Sequence, residues 1–290
     1  MKFGIAFANT GPYAAAAGAT AIATAAEAAG FESLWTVEHV VVPHDYGSTY
    51  PYAAGGKMPG GEEFDMPDPL IWLTWVAAQT TTLRVATGVL ILPQRNPVVL
   101  AKEVATLDAL SGGRMILGVG IGWLEEEFDV IGASFADRGQ RTEEYVEAMR
   151  ALWSQDLPSF SGDTVRFHEA IMRPRPVDRR VPIVVGGHSP AAARRAGRVG
   201  DGFFPAKGDL PALLDELRKA ADGAGRDPGD VEVTWTGASV LAGGERAVDE
   251  VGRLAEMGVA RLVIPPLSYD PAAIGDALAT FGADVIARSG

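Results

Sequence analysis

Short apolar runs alternate along this chain with longer segments of helical spacing, and that rhythm limits its fold more than any other feature. The runs lie at 2–8 (KFGIAFA), 33–37 (SLWTV), 83–92 (LRVATGVLIL), 114–120 (RMILGVG), 182–187 (PIVVGG), 201–205 (DGFFP), 231–240 (VEVTWTGASV) and 260–266 (ARLVIPP). Each is apolar on both faces, as a strand reads when helices cover one side and a packed interior the other. Helices are predicted at 14–29, 68–80, 98–110, 142–153, 190–196, 210–221, 245–257 and 272–288. The first stops at Gly30, the second opens on Asp68-Pro69, and the third is followed by Ser111-Gly112-Gly113, which are helix start and stop signals. Eight βα units in 290 residues predict an α/β fold, a (β/α)8 TIM-type barrel as one domain over 1–290. Its active site is expected at the C-terminal ends of the strands. A doubly wound sheet is the alternative.

Two stretches exceed a minimal barrel and are read as insertions after strands 2 and 4: 39–67, rich in Gly, Pro and Tyr, and 157–180, with short SF and TVRF segments before RPRPVDRR. Long loops that follow strands commonly carry function in this fold, with a mobile surface loop as the alternative for the first. A hydrophobic content of 47% suits a sizeable core, whereas a net charge of −12 argues against a broad nucleic-acid surface, which needs clustered Lys and Arg. With no cysteine, disulfides and thiol catalysis are excluded. Four histidines make a structural zinc site improbable. The N-terminus does not read as a signal peptide and no apolar run approaches a membrane span, so a soluble cytoplasmic protein is expected.

Three strand ends carry candidate chemistry. Glu38-His39 closes the second run of GFESLWTVEHVVVP. An imidazole there can titrate near neutral pH, and the adjacent carboxylate can orient it or take a proton; alternatively His39 only ends the strand. Gly88 interrupts the third run, which marks a bulge, a close approach to a ligand, or simple relief of crowding. The fourth run ends in GVGIGW, Gly118 to Trp123, whose spacing does not match a dinucleotide fingerprint. In PIVVGGHSPAAARRAG the strand ends on Gly186-Gly187, and His188-Ser189-Pro190 opens a helix. Exposed amides at such a start form an anion site suited to phosphate; an ordinary tight turn is the alternative.

Taken together, GFESLWTVEHVVVP, ATGVLILPQRNPVVLAKEVATLDALSGGRMILGVGIGW and PIVVGGHSPAAARRAGRVGDGFFP resemble the luciferase-like flavin/deazaflavin oxidoreductases, in the branch that uses coenzyme F420. The resemblance runs from Lys2 to the last helix. It implies a barrel whose cofactor pocket lies at the C-terminal strand ends, with His39 at the deazaflavin ring as ring contact or acid/base and Glu38 as its orienting partner. It further implies a non-prolyl cis peptide within Thr87-Gly88-Val89 that backs the ring, and a phosphate loop at Gly186, Gly187, His188 and Ser189. Sugar-phosphate dehydrogenases of this family carry a Glu after the strand-four glycines. Here Trp123 stands there, with Glu125, Glu126 and Glu127 shifted into the next helix. That departure points away from a sugar phosphate and toward an apolar or aromatic substrate walled by Trp123, unless Trp123 is core filler.

The expected activity is therefore hydride transfer between the F420 deazaflavin and a small organic substrate. An FMN-dependent monooxygenase of the same superfamily is the alternative, mildly favoured by the acidic balance unless Arg138, Arg141 or Lys207 gathers at the mouth to meet the polyglutamate tail of F420. A non-catalytic flavin-binding protein is a second alternative. A metal-dependent hydrolase is disfavoured because His39, His44, His168 and His188 lack HxH spacing, so no metal is expected. A homodimer through helices near strands two and three, a small-molecule substrate, and no nucleic-acid or membrane partner complete the expectations.

Overall fold

In the computed structural model, which describes residues 1–289, eight parallel strands close into a barrel. They are β1 (Lys2–Ile5), β2 (Ser33–Thr36), β3 (Arg84–Thr87), β4 (Met115–Gly120), β5 (Ile183–Gly186), β6 (Gly202–Phe204), β7 (Glu232–Thr236) and β8 (Val259–Ile264). Closure runs through β1 against β8, Lys2 opposite Arg261, and β3 against β4, Val85 opposite Met115. The helices are α1 (Ala16–Ala28), α2 (Pro69–Gln79), α3 (Pro97–Ser111), α4 (Glu125–Ile131), α5 (Arg138–Ser154), α6 (Pro190–Val199), α7 (Leu210–Gly223), α8 (Gly244–Glu256) and α9 (Ile274–Phe281). None of the helices among the described residues is long and apolar enough to cross a membrane.

The strands are apolar on both faces because they separate two cores. Outside, they pack on the helices; inside, Trp35, Ala86, Ile116, Val184, Phe204 and Val263 fill the barrel. Arg261, 1% exposed, closes the N-terminal end. Its guanidinium lies 2.8 Å from Glu32 and 2.5 Å from Glu232, donates to Thr234 Oγ1, and packs 5.4 Å from the Trp35 ring. A buried cation is tolerated only when so paired. With that end plugged, the open mouth is the C-terminal one.

Several boundaries differ from the sequence reading. The 83–92 run is cut by a cis peptide between Gly88 and Val89: β3 ends at Thr87, and Leu90–Ile91 resume pairing with β4 before a 3-10 turn at Leu92–Gln94. The 272–288 helix ends at Phe281 and passes into a π turn over Gly282–Ile286. α5 begins at Arg138, four residues before the expected start. The 157–180 insertion follows α5 rather than β4 directly. It is therefore an α-to-β connection: it leaves α5 and enters β5 at the plugged end, where Val177 N–H donates to Asp108. Its two-stranded hairpin, with Phe160 opposite Phe167, runs back along α5, where Thr164 and Val165 N–H donate to Glu144 at 2.8 and 2.7 Å. The segment after β2 does rise from the mouth.

Candidate functional site

Register places the strand ends side by side: Thr36 lies opposite Thr87, and Gly88 N–H donates to Thr36 O at 2.6 Å. Gly88 and Val89 are half-buried where the barrel opens. The floor is tight by construction. A Cβ at Gly120 or Gly186 would lie 2.6 or 2.5 Å from a Val89 methyl, and one at Gly118 would lie 1.9 Å from Thr87 O. Gly118 and Gly120 of GVGIGW thus let β3 and Val89 pass closely, whereas Gly122 stands against Phe128 and Ile91. The result is a floor of backbone and small side chains, a shape that fits a flat ring system.

The structure separates the expected Glu38-His39 pair. β2 ends at Thr36; beyond it Glu38 turns to Ile91 and Arg95 while His39 turns to Glu127 and Trp123, although both line one cavity with Gln94 and Arg95. Glu38 is buried, accepts from Ile91 N–H at 2.5 Å and forms an ion pair with Arg95. Burial pushes its carboxyl up, while Arg95 and the Ile91 amide pull it back. Arg95 also reaches Asp68 at 3.1 Å, and Asp68 caps α2 by accepting from Leu70 and Ile71 N–H. Glu38 thus ties β2 to the β3 extension and to α2, and it does not orient His39. That contact comes from Glu127: His39 Nδ1 lies 3.0 Å from Glu127 Oε2, and Glu127 Oε1 accepts from Val40 N–H at 2.6 Å and Val41 N–H at 3.3 Å.

Glu127 was legible in one respect. Leu124, Phe128 and Ile131 lie at helical spacing along the inner face of α4, and Glu127 falls on that stripe, 1% exposed. Its neighbour Glu126 accepts from Gly47 and Ser48 N–H at 2.7 and 3.0 Å, so two consecutive carboxylates fasten the segment after β2. Hydrogen bonds from the Ser48 hydroxyl and nearby amides hold the Glu126 carboxyl down at about 2. Asn9, which no sequence signal marks, fixes the approach to His39. Its amide donates to Val37 O and accepts from Val37 N–H, both at 2.9 Å.

Trp123 is the hub of a chain of rings. Its centroid lies 5.5 Å from His39, 5.5 Å from Tyr46 and 5.2 Å from Tyr50; Tyr50 lies 5.4 Å from Tyr52, and Tyr52 lies 5.1 Å from His188. The chain spans the mouth from the end of β2 to the end of β5. Burial raises the Tyr50 and Tyr52 phenols, so both stay neutral hydrogen-bonding groups.

At the β5 end, Ser189 Oγ accepts from Ala192 N–H at 3.2 Å and caps α6. His188 Nδ1 is buried and has no protein partner. Burial first, then the Lys207 charge, push its pKa down, so the ring is neutral at neutral pH. An orphaned ring nitrogen beside a helix N-terminus is a vacant polar contact, which suits an anionic ligand group there. Of the basic residues that would have to gather at the mouth to meet a polyglutamate tail, Lys207 donates to Pro51 O, whereas Arg138 donates to Gly122 O and Phe135 O and Arg141 to Ser134 O. His44 lies exposed in the segment after β2 and His168, also exposed, just after the hairpin of the 157–180 insertion, beside Ser159, so neither joins His39 or His188.

The model of the luciferase-like monooxygenase family matches residues 1–270. An uncharacterised protein of Mycobacterium tuberculosis is 33% identical over 247 residues, 84% of this chain and 83% of its own length. An F420-dependent glucose-6-phosphate dehydrogenase of Kineococcus radiotolerans is 37% identical over 177 residues, 58% of this chain and 52% of its own. In fold, the chain superposes on the F420-dependent tetrahydromethanopterin reductase of Methanopyrus kandleri with a TM-score of 0.75 at 17% identity, covering 100% of this chain and 99% of that one. The chain belongs to the luciferase-like monooxygenase family.

Proposed function

We propose that the protein is an F420-dependent oxidoreductase acting on a small organic substrate without a phosphate group. The observation that carries this is the half-buried Gly88–Val89 floor, set beside the strand end that bears His39. When bound there, the deazaflavin supplies hydride exchange at its C5, and the protein supplies position and electrostatics. Gly88 and Val89, with Thr87 beneath, back the ring. Gly186, Gly187, His188 and Ser189 hold the cofactor phosphate with the α6 amides and the unpaired His188 Nδ1. His39 exchanges the substrate proton, while Trp123, Tyr46 and Tyr50 wall the substrate and exclude water. An all-aromatic wall favours an apolar or aromatic body.

Replacing His39 with Ala tests this. The variant should fold and bind F420 yet transfer hydride slowly in single turnover; an unchanged rate would remove His39 from the chemistry. The same floor would take FMN. One observation favours that second reading: Arg138 and Arg141 are engaged with backbone carbonyls and are not free to meet a polyglutamate tail.

The assembly that fits this reading is a homodimer through α2 and α3. Ile71, Trp75, Val98 and Val99 on these helices are exposed, Ile71 to 75%, and an apolar face of that kind is a usual subunit contact. Light scattering should give twice the chain mass, and a monomer at working concentration would remove the proposal.

A further inference from the structure

We infer that Glu127 is the positioning residue of the site: it fixes His39 in the tautomer that carries its proton on Nδ1 and leaves Nε2 as a bare acceptor. An ionised carboxylate only accepts hydrogen bonds. Glu127 Oε1 is occupied by the Val40 and Val41 amides, and Oε2 stands 3.0 Å from His39 Nδ1. A neutral imidazole can make that contact only by donating from Nδ1, which places the lone pair on Nε2. Both groups are shielded, with side-chain exposures of 9% for His39 and 2% for Glu127, so water does not compete well for the contact. The Trp123 ring, nearly perpendicular to the imidazole at 84°, restrains the remaining rotation.

Two features make this more than an incidental contact. The carboxylate that holds the ring also holds the two amides that follow it, so ring orientation and local backbone are fixed by one group. Among the described residues, no side chain or amide hydrogen-bonds His39 Nε2, and that atom is absent from the fully buried unpaired atoms. The protein therefore dictates the tautomer and leaves the reactive nitrogen open. A proton taken at Nε2 leaves an imidazolium against the Glu127 carboxylate, which stabilises it. Without that carboxylate, either tautomer would be available, and a ring protonated on Nε2 would present an N–H where a base is needed.

The inference rests on the reading of His39 as the acid/base group, and the test separates the two. Glu127→Gln preserves size: the amide oxygen can keep the Val40 and Val41 N–H groups while the amide nitrogen donates to His39 Nδ1, reversing the tautomer. With 15N-histidine labelling there are four imidazoles to assign, each with two ring nitrogens, and His39→Ala identifies the pair that belongs to His39. Wild type should show a protonated Nδ1 and a bare Nε2. Glu127→Gln should show the reverse, with hydride transfer about 10–100-fold slower, the cost usual for losing an orienting partner, and F420 affinity little changed. A wild-type ring protonated on Nε2, or no reversal in the variant, overturns the inference whatever the rate. Reversal with an unchanged rate upholds the role of Glu127 and overturns the acid/base role of His39. If the variant fails to fold, the wild-type spectrum alone decides.

Discussion

The indole of Trp123 meets the imidazole of His39 edge to face, with centroids 5.5 Å apart and planes at 84°. The same indole holds Tyr46 and Tyr50, at interplanar angles of 70° and 71°. One side chain from the end of β4 thus joins the end of β2 to the long segment that follows it, and the wall of rings proposed to face the substrate depends on it.

Trp123→Ala should therefore act on substrate binding more than on the cofactor. Three ring contacts at about 0.5–1.5 kcal/mol each are lost with the wall. KM should rise roughly tenfold, the equivalent of about 1.4 kcal/mol, with F420 affinity nearly unchanged. Steady-state kinetics and a cofactor titration check this, and an unchanged KM would return Trp123 to core filler.

Glu38 is structural in this account, and its partner tests that. Arg95→Leu leaves a buried carboxylate without its cation, which should cost about 3–5 kcal/mol in denaturant unfolding. Removing the carboxylate as well, in Arg95→Leu with Glu38→Leu, should recover most of that loss. A double variant no better than the single one would mean that the ion pair is not the main term.

Glu27 makes stability depend on acid. Burial opposes its ionisation, but the amides of Thr82, Leu83 and Thr81 and the Thr82 hydroxyl together hold its carboxyl at about 2, against an ordinary 4.5. A carboxyl depressed on folding stabilises the protein above its unfolded pKa, and the contribution is lost as pH falls through the folded value. Glu27→Gln should be less stable than wild type at pH 7 by about 1–3 kcal/mol, the range for charge-assisted hydrogen bonds. The gap should close between about pH 4.5 and 2. A gap independent of pH across that range would refute it.

The two glycines at the floor should fail differently. At Gly118 an added methyl meets a backbone oxygen at 1.9 Å, which cannot move without opening β3 from β4, so Gly118→Ala should not give soluble folded protein. At Gly186 it meets a Val89 methyl at 2.5 Å, which can swing toward the mouth. Gly186→Ala should fold, with a smaller loss in thermal midpoint, and bind cofactor more weakly because the floor is raised.

The barrel was legible because strands buried on both faces leave a signal in every run, and eight such runs between helices admit few folds. Gly88 announced a break in the third strand, although the cis bond itself came from the family resemblance rather than from the residues alone. What stayed hidden depends on contacts between distant segments. Adjacency in sequence suggested that Glu38 orients His39, but neighbours at a strand end diverge, and the partner arrives from α4, 88 residues away. Three consecutive glutamates gave no direct sign that the third is the buried one, beyond its place on the Leu124, Phe128 and Ile131 stripe. Tyr46, Tyr50 and Tyr52 lie in a segment without periodicity, so nothing local marked them as a wall. The 157–180 insertion was visible as excess length, but only the chain order through α5 makes it an α-to-β connection, and only contacts such as Val165 N–H to Glu144 lay its hairpin along α5.

The most direct test is a titration of the purified protein with F420 and, separately, with FMN, followed by quenching of Trp fluorescence, to which Trp123 at the mouth should contribute. F420 should quench saturably, with much of the effect lost in Trp123→Phe, and FMN should quench at most weakly at the same concentrations. Preference for FMN would contradict the deazaflavin assignment and move the protein to the monooxygenase reading, and binding of neither would leave the fold and family without the proposed activity.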